Sequence, residues 1–461
     1  MNATITRLFA VVASVILVAS GVGVVVGMAT THAQTDRNVA FDATVPDEYS
    51  FTSPTEAGRA TVDDESYASL QAAVDAAESG DRVLLRGEFD EHVVVSTANV
   101  TLVSEPGYVA RIDGNGTGDV LTLDGDDITL RRVWVHNSGY DTSENDAGIW
   151  VNGTNTTIAD SRVTAATFGI WLDGVSGAHI ENNTIVGRES VEPRSYRGNG
   201  IQVWKTDDAT LVDNRITDTR DGIYYSWASG VTARNNTMWN LRYGVHYMYS
   251  DDCVLVDNVA FDNDAGYAVM LSERIRVIRN VAVNNTGTSG HGILLKRIDH
   301  SVVDGNEVVG NGNGLYVFNS VNNTLTNNLV LENRVGAYFT AGSSSPNVSE
   351  NGFINNDESV RALVGERMAW NGSTRGNYWS DARDSDVDAD GVNDVRHRPA
   401  GLVEQLLYDH PQAAVFASSP AFDALRLAES SFPVIDVPGI VDHHPLSEPP
   451  HERWRRYYVR D

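Results

Sequence analysis

The chain has 461 residues, of which 62 are Asp or Glu and 34 are Lys or Arg, so its formal net charge is -28. A surface with this charge repels nucleic acid phosphates, which argues against a nucleic-acid-binding protein. Lysine occurs only at Lys205 and Lys296, and the acidic residues are spread along the chain. This composition is typical of a surface adapted to high salt and indicates a halophilic source.

The N-terminus has the layout of an export signal. Arg7 precedes an apolar run from Leu8 to Met28, and a small-x-small cleavage site ends at Ala33. The run is also long enough to span a bilayer, so a retained membrane anchor is the alternative. We expect an exported protein in which residues 1–33 are the signal or anchor and residues 34–63 are an acidic linker.

A period of about 22 residues organises the middle of the chain. Glycines recur with gaps of 22, 22, 26, 22 and 22 residues at Gly222, Gly244, Gly266, Gly292, Gly314 and Gly336. Asparagines precede them with nearly the same period at Asn214, Asn236, Asn258, Asn280, Asn306 and Asn328. The segments between are short and rich in Val, Ile, Tyr and Thr, so each repeat is expected to form one coil of a parallel β-helix.

We therefore predict an all-β protein in which residues 64–375 form the solenoid. The six asparagines are expected to stack into a ladder of hydrogen-bonded amides. The segment from Ser66 to Val95 begins as an amphipathic helix, which would cap the open end of the core. Residues 376–461 are expected to form a small irregular region with an Asp-rich loop. Its helix-like segments lie near Leu402 to His410 and Pro420 to Ser431.

Strand alternation predicts where the side chains after each glycine point. The first and third positions are apolar and face the core, whereas the second and fourth face out. This places His246 and Met248 on one outer face, with Met270 beside Met248 on the next coil at about 4.8 Å. One imidazole and two thioethers are a soft ligand set that suits Cu(I), and zinc is disfavoured without a thiolate. The alternative is that these residues pack under a loop or partner.

The single cysteine, Cys253, falls on an inward position by the same alternation. It has no second cysteine with which to form an internal disulfide. We expect an inert thiol packed in the core as a small hydrophobic group.

A second metal site is predicted in DSDVDADGVND, residues 384–394. Its spacing matches the first half of a calcium loop, in which Gly391 allows the sharp turn. The candidate oxygen ligands are Asp386, Asp388, Asp390 and Asp394. His397 stands where a bidentate Glu is expected, and an acidic surface loop without an ion is the alternative.

Two motifs test an enzymatic interpretation. SDDCV at 250–254 and GHG at 290–292 resemble motifs of polygalacturonases, whose inverting mechanism needs carboxylates about 6.5 to 9.5 Å apart. Asp251 follows its glycine by seven positions, whereas His291 precedes its own glycine nearly two coils later. They are too far apart to act together, so we predict a protein that is not an enzyme. A carbohydrate-active enzyme and a calcium-stabilised adhesion module remain alternatives.

Several motifs in one order carry a family resemblance. These motifs resemble those of NosD, the periplasmic β-helix protein of nitrous-oxide-reductase maturation. They are GNGIQVWKTDDATLVDNRITDTRDGIYY, LRYGVHYMYSDD, GYAVMLSER, GHGILLKR and GNYWSDARDSDVDADGVNDVRHRP. The similarity extends over residues 64–446. It implies a right-handed, pectate-lyase-like parallel β-helix that works with an ABC-type ATPase and permease.

The resemblance also implies a function in copper delivery. NosD proteins look like acceptors of transiently bound Cu(I) from a copper chaperone, and they help to supply the copper-sulfur centre of nitrous oxide reductase. His246, Met248 and Met270 are the residues of the matching motifs that we expect to hold copper. The chain has no GxxxxGK[ST] phosphate loop, so an ATPase activity of its own is not expected.

Overall fold

The computed structural model describes residue 41 and residues 53–340, 342–364, 366–401, 403, 406, 410–416, 419–431 and 439–458. The expected export signal, residues 1–33, lies outside these ranges, as does most of the helix-like segment near Leu402 to His410. Within the described ranges, no helix combines the length and the apolar character needed to cross a membrane.

Most of the described chain is a parallel β-helix. A typical coil contributes three short strands, and each pairs in parallel with its counterpart on the next coil. Three parallel sheets therefore run along the solenoid, and we call them face 1, face 2 and face 3 in the order in which a coil passes through them. The predicted all-β parallel β-helix is confirmed.

The strands of each face follow the period of the repeat. Face 1 consists of β4 (Val93–Val95), β7 (Leu121–Leu123), β10 (Ala147–Val151), β13 (Phe168–Asp173), β16 (Ile201–Trp204), β19 (Asp221–Ser226), β22 (Tyr243–Met248), β25 (Ala265–Glu273), β28 (His291–Asp299), β31 (Asn313–Phe318), β34 (Val335–Phe339) and β37 (Glu358–Ala362). Face 2 consists of β1 (Arg59–Val62), β2 (Glu65–Tyr67), β3 (Arg82–Asp90), β5 (Thr101–Ser104), β8 (Thr129–Arg131), β11 (Thr157–Ala159), β14 (His179–Glu181), β17 (Thr210–Val212), β20 (Thr232–Arg234), β23 (Val254–Val256), β26 (Arg276–Ile278), β29 (Val302–Asp304), β32 (Thr324–Thr326) and β35 (Asn347–Ser349). Face 3 begins with the second half of β3 and continues through β6 (Ala110–Asp113), β9 (Val133–His136), β12 (Arg162–Thr164), β15 (Thr184–Val186), β18 (Arg215–Thr217), β21 (Thr237–Trp239), β24 (Val259–Phe261), β27 (Val281–Val283), β30 (Glu307–Val309), β33 (Leu329–Leu331), β36 (Gly352–Ile354) and β39 (Tyr378–Trp379).

A short helix, α1 (Leu70–Ala76), covers the N-terminal end of the core, as predicted. The Ser69 side chain caps it by accepting a hydrogen bond from the Ala72 N–H at 3.2 Å. The buried side chains have the spacing of a helix with one apolar face: Leu70, Ala73 and Val74. The cap keeps the first coil from exposing its apolar interior to water.

The solenoid starts earlier than expected. β1 pairs antiparallel with β2 and β3 and so lies against the first coil. Arg59–Val62 falls inside the segment 34–63, for which we expected a linker, and that expectation was wrong for these residues. Their pairing is antiparallel and has no counterpart in the 22-residue period, so the periodicity gave no signal for it.

The recurring glycines are explained by the close approach of successive coils at the start of the face 1 strands. A Cβ atom at Gly244 would lie 2.7 Å from the carbonyl oxygen of Gly266, and one at Gly266 would lie 2.7 Å from that of Gly292. A carbon atom cannot approach a backbone oxygen this closely without a shift of the backbone. The period of the glycines is therefore the period of the coils.

An amide ladder runs along the corner between faces 2 and 3. In each rung, the side-chain amide of an asparagine donates two hydrogen bonds, one to the Oδ1 atom of the asparagine on the next coil and one to a backbone carbonyl. The Asn236 amide, for example, donates to Asn258 at 2.9 Å and to the Leu211 carbonyl at 2.9 Å. The ladder contains Asn214, Asn236, Asn258, Asn280, Asn306 and Asn328, and it extends to Asn183, Asn351 and Asn377. A second ladder, which the sequence reasoning missed, lies between faces 3 and 1 and contains Asn263, Asn285, Asn311, Asn333 and Asn356.

Cys253 lies in the core and is fully buried. Burial raises the pKa of its thiol to about 12, and the Sγ atom donates to the Asp251 carbonyl at 3.2 Å. The thiol is therefore protonated and unreactive.

The C-terminal region closes the other end. The last coil extends to β39, so the boundary expected at residue 375 lies within this coil. Beyond it are a small sheet and short helices: β38 (Arg367–Ala369), β40 (His397–Ala400), β41 (Gly439–Asp442), α2 (Pro420–Ser431) and the 3-10 segments Pro411–Phe416 and Glu452–Tyr457. A further 3-10 segment, Arg194–Tyr196, interrupts the coil before β16. The Tyr457 hydroxyl donates to Glu307 on face 3 at 2.5 Å, which holds the C-terminal segment against the solenoid.

We expect Asn258→Ala to lower the free energy of unfolding by about 2 to 4 kcal/mol, because it leaves the buried N–H of Asn236 and the carbonyl of Ala233 without partners. Chemical denaturation checks this. The control is Asn347→Ala at an exposed strand position, which is expected to change the free energy by less than about 0.5 kcal/mol. Equal effects of the two substitutions would contradict an energetic contribution of the ladder.

Candidate metal centre

The two methionines of the predicted site are neighbours on face 1. Met248 at the end of β22 pairs in register with Met270 of β25, and both side chains are half-buried. His246 lies two residues before Met248 on the same strand, beside Ala268 of the next coil. The register therefore brings the two thioethers together directly and puts the imidazole on the same outer surface.

His246 is more enclosed than the sequence suggested. Its side chain points away from the inner core, yet the residue is only 8% exposed. The ring of Tyr224 from the preceding coil packs edge-on at 4.7 Å between centroids, and that of Tyr243 packs at 5.1 Å. The imidazole is thus held between two aromatic rings, and the expectation of a freely outward-facing histidine was incomplete.

A buried carboxylate fixes the orientation of this imidazole. Asp221 is 0% exposed, and its Oδ2 atom lies 3.0 Å from Nδ1 of His246. Arg242 donates to the same carboxylate from Nε at 2.8 Å and from a terminal nitrogen at 2.5 Å. Burial raises the pKa of the Asp221 carboxyl, but hydrogen bonds from His246 and Arg242 outweigh it and bring the pKa to about 2.

The ionised carboxylate determines the tautomer of a neutral His246. A carboxylate can only accept a hydrogen bond, so Nδ1 must carry the proton. The lone pair then resides on Nε2, which makes no hydrogen bond to another described residue. A carboxylate that holds the far nitrogen in this way is the usual support of a metal-binding histidine. Nε2 is consequently available to an ion.

Sequence reasoning missed Asp221 because the alternation of side chains breaks at the glycine. A Cβ atom at Gly222 would point at Leu241 and Met238 of the core, and the next residue, Ile223, also faces the core. Two inward positions in succession leave Asp221 and Tyr224 both facing out. A count that alternates strictly through the glycine points the carboxylate inward. The one signal in the sequence that could have pointed to Asp221 was that an Asp directly precedes the recurring glycine one coil before His246.

These groups have the chemistry of a site for a soft monovalent cation. A neutral imidazole nitrogen and two thioethers suit Cu(I), and they offer no hard oxygen to calcium or magnesium. The next residue in register after Met270 is Lys296. The row of candidate copper ligands is therefore followed, on the next coil, by a positively charged side chain.

The predicted calcium loop is partly assembled. Carboxylate oxygens of Asp386, Asp388 and Asp390 lie within 4.8 Å of one another. Asp394 is not in this group, and its Oδ2 atom accepts a hydrogen bond from the Val387 N–H at 2.9 Å. His397 lies 3.4 Å from Asp381, away from the three carboxylates.

The motifs that resemble those of polygalacturonases do not meet. Asp251 follows β22, and its side chain accepts the Glu273 N–H at 2.8 Å. Asp252 forms an ion pair with Arg274. His291 begins β28, two coils further on, where burial lowers the pKa of its imidazole to about 4.

We expect Asp221→Ala to change the tautomer of His246. Without the carboxylate, the Arg242 guanidinium, which lies 3.4 Å from Nδ1, would donate to this nitrogen and move the imidazole proton to Nε2. Nitrogen-15 chemical shifts of the histidine side chains measure this change. Asp257→Ala, which breaks an exposed ion pair with Arg279, is the control and should leave the tautomer unchanged. A His246 tautomer unaltered by Asp221→Ala would refute the assignment.

Comparison with solved structures finds matches of low sequence identity. An alginate lyase, AlyF-OU02 in complex with G6, matches with a TM-score of 0.49 and 15% identity over 65% of this chain and 81% of that chain. The surface adhesin PfbA of Streptococcus pneumoniae matches with a TM-score of 0.46 and 13% identity over 64% of this chain and 95% of that chain.

Comparison with curated sequences identifies nearer relatives. A protein of Pseudomonas aeruginosa described as a probable ABC transporter binding protein NosD is 38% identical over 74% of this chain and 82% of the relative. A protein of Stutzerimonas stutzeri with the same description is 33% identical over 76% of this chain and 83% of the relative. The sequence profile described as periplasmic copper-binding protein (NosD) matches residues 182–383, which include β19, β22 and β25. The chain therefore belongs to the NosD family.

Proposed function

We propose that this protein is an exported, non-catalytic copper carrier that takes part in assembly of the copper centre of nitrous oxide reductase. It binds Cu(I) transiently, receives it from a copper chaperone and works with an ABC-type ATPase and permease pair. Membership of a family of periplasmic copper-binding proteins supports copper binding and export. The descriptions of the two relatives support an association with an ABC transporter.

The observation that carries the proposal is the pairing of Met248 with Met270 beside an imidazole whose Nε2 atom makes no hydrogen bond to a described residue. His246 supplies a nitrogen ligand, and the methionines supply two sulfur ligands. Thioethers are weak, neutral ligands, so they release Cu(I) more readily than thiolates do. A weakly held ion suits a carrier that must pass its cargo on.

Asp221 positions the copper ligand and does not bind the ion itself. It is buried behind the imidazole, where Arg242 compensates its charge. A neutral Asn at this position would accept the hydrogen bond from Nδ1 more weakly, so it would hold the imidazole less firmly. Loss of such a supporting group commonly weakens metal binding by about 10- to 100-fold.

The decisive experiment is an anaerobic Cu(I) titration against a competing chelator. The variant His246→Ala/Met248→Leu/Met270→Leu removes all three ligands while leucine preserves the methionine volume. We expect its affinity for Cu(I) to fall at least about 1,000-fold, since three ligands are lost and each costs at least about a factor of ten. The matched control removes one histidine and two methionines elsewhere: His179→Ala/Met238→Leu/Met368→Leu. Equal affinities of the two variants would eliminate the ligand assignment.

A second proposal concerns the Asp-rich loop, which we propose binds calcium for stability. The cluster of Asp386, Asp388 and Asp390 supports it, because three carboxylates this close repel one another unless a cation neutralises them. The loop contacts the C-terminal segment: the Ser447 hydroxyl donates to Asp386 at 3.0 Å. A bound cation would tie the two segments together.

Calcium is expected to raise the thermal midpoint of the wild-type protein by a few degrees, by mass action on the folded state. The rise should disappear in Asp386→Asn/Asp388→Asn and persist in Asp384→Asn, an exposed residue of the same loop outside the cluster. Differential scanning calorimetry with calcium or a chelator measures it. A thermal midpoint of the wild-type protein that does not change when calcium is added would exclude the site.

A further inference from the structure

A small cavity lies between the segment that joins β15 to β16 and the corner of the solenoid between faces 3 and 1. Its volume is about 20 Å³, which is enough for one water molecule or one small ion. Two of the residues that line it are arginines, Arg188 and Arg197, and none is Asp or Glu. In a chain with a net charge of -28, a cavity with this lining is suited to an anion.

Arg188 is a buried cation whose hydrogen-bonding partners are all neutral. The residue is 8% exposed, and its guanidinium lies over the Tyr140 ring, 3.7 Å from the centroid. It donates to the Gly139 carbonyl and the Thr167 hydroxyl at 2.9 Å, and to the Ser138 carbonyl at 2.5 Å. It forms no ion pair with a carboxylate of the described residues. Burial accordingly lowers the pKa of this guanidinium.

The carboxylates in this part of the solenoid do not compensate the buried charge. Glu189 and Glu192 are exposed, and Glu192 pairs with Arg197 at 2.7 Å. Asp146 acts on the buried guanidinium without forming an ion pair, and its Oδ2 atom accepts a backbone N–H at 3.0 Å. The Asp218 carboxylate accepts a hydrogen bond from a side-chain amide on the next coil. None of these carboxylates lines the cavity.

Backbone N–H groups of the cavity lining also lack acceptors. Those of Arg188, Gly198 and Thr219 make no hydrogen bond to another described residue, although all three residues are buried. For Thr219, the reason is that the second amide ladder begins too late. One coil further on, the Leu241 N–H donates to Oδ1 of Asn263 at 2.9 Å, but Leu241 offers no such oxygen to Thr219. Buried N–H groups without a partner are rare, so a bound acceptor is expected.

We infer that this cavity is a binding site for one chloride ion, held by the N–H groups of Gly198 and Thr219 beside the positive charge of Arg188. Backbone N–H groups and guanidinium groups are the usual anion-binding groups of proteins. Water fits less well because it must also donate, and the nearby carbonyl oxygens already accept from Arg188 and Arg197. Sulfate and phosphate are too large for about 20 Å³. The inference does not depend on the copper site.

The anion would fasten the segment between β15 and β16 to the solenoid. Arg194 of this segment already donates to the Asn240 side chain at 2.7 Å and to the Leu241 carbonyl at 3.0 Å, both on a later coil. The Thr219 hydroxyl donates to the Asp221 carbonyl at 2.9 Å, so a fixed Thr219 would also steady the turn that carries Asp221. The net charge of -28 repels anions, and salt screens this repulsion, so we expect occupancy to rise with salt concentration.

The test compares the full chain with two variants of the cavity. Arg188→Met removes the charge and keeps a long side chain, whereas Val191→Asp places a carboxylate at the cavity as a built-in anion. The matched controls are Arg276→Met and Val94→Asp, at exposed positions of faces 2 and 1. Thermal midpoints are measured in sodium chloride and in sodium gluconate at equal concentrations, because gluconate is too large for the cavity. Crystals grown in sodium bromide locate the anion by anomalous scattering.

The salts also act on the rest of the surface, so the diagnostic quantity is the chloride-minus-gluconate difference in midpoint. We expect this difference to be a few degrees larger in the wild type than in either cavity variant, by mass action on the folded state. Both controls should retain the wild-type difference. Anomalous density for bromide should fill the cavity in the wild type and be absent from Val191→Asp. If Arg188→Met does not fold, Val191→Asp and the bromide data decide the question.

Three results would overturn the inference. The first is a chloride-minus-gluconate difference that is the same in the wild type and in Val191→Asp. The second is a wild-type cavity without anomalous density, which would assign it to water. The third is bromide density in the cavity with no specific effect of chloride on the midpoint, which would show an adventitious ion only.

Discussion

The close contact between successive glycine backbones is the constraint on which the rest of the structure depends. At Gly244 and Gly266 no side-chain carbon fits between one coil and the carbonyl of the next, so the chain must return to this corner with a glycine once per coil. This requirement keeps every following strand in register. Because the register is kept, Met248 meets Met270, and the amide ladders stack without a break across the longer coil that contains Asn280 and ends at Asn306.

The amide ladders at the corners and the hydrogen-bond network around His246 follow the same physical principle. Each ladder asparagine satisfies a backbone N–H of the adjacent coil, so buried polar groups at the corners stabilise the stack. On the outer side of face 1, Asp221 satisfies Arg242 and His246 together. In both places a buried polar group is tolerated because it has all of its hydrogen-bonding partners. Around His246, however, the arrangement leaves the imidazole Nε2 without a hydrogen-bonding partner among the described residues.

The solenoid surface is acidic overall, and ion pairs between coils offset part of its charge. Face 2 carries arginine and aspartate pairs that link neighbouring coils, such as Arg279 with Asp257. Such exposed pairs contribute little individually, but they reduce the repulsion among the many carboxylates.

The sequence by itself determined the solenoid, its period, one amide ladder and the pairing of the two methionines, because all of these follow from spacing along the chain. It did not reveal the enclosure of His246 or the partnership with Asp221. The glycine corner interrupts the alternation of side chains, and a count of positions cannot show where the backbone bends. Antiparallel β1 escaped notice for a related reason, since it lies outside the period. Residue spacing repeats from coil to coil, so it can be read from the sequence alone. The contacts that enclose and orient the His246 imidazole form only when three coils are stacked.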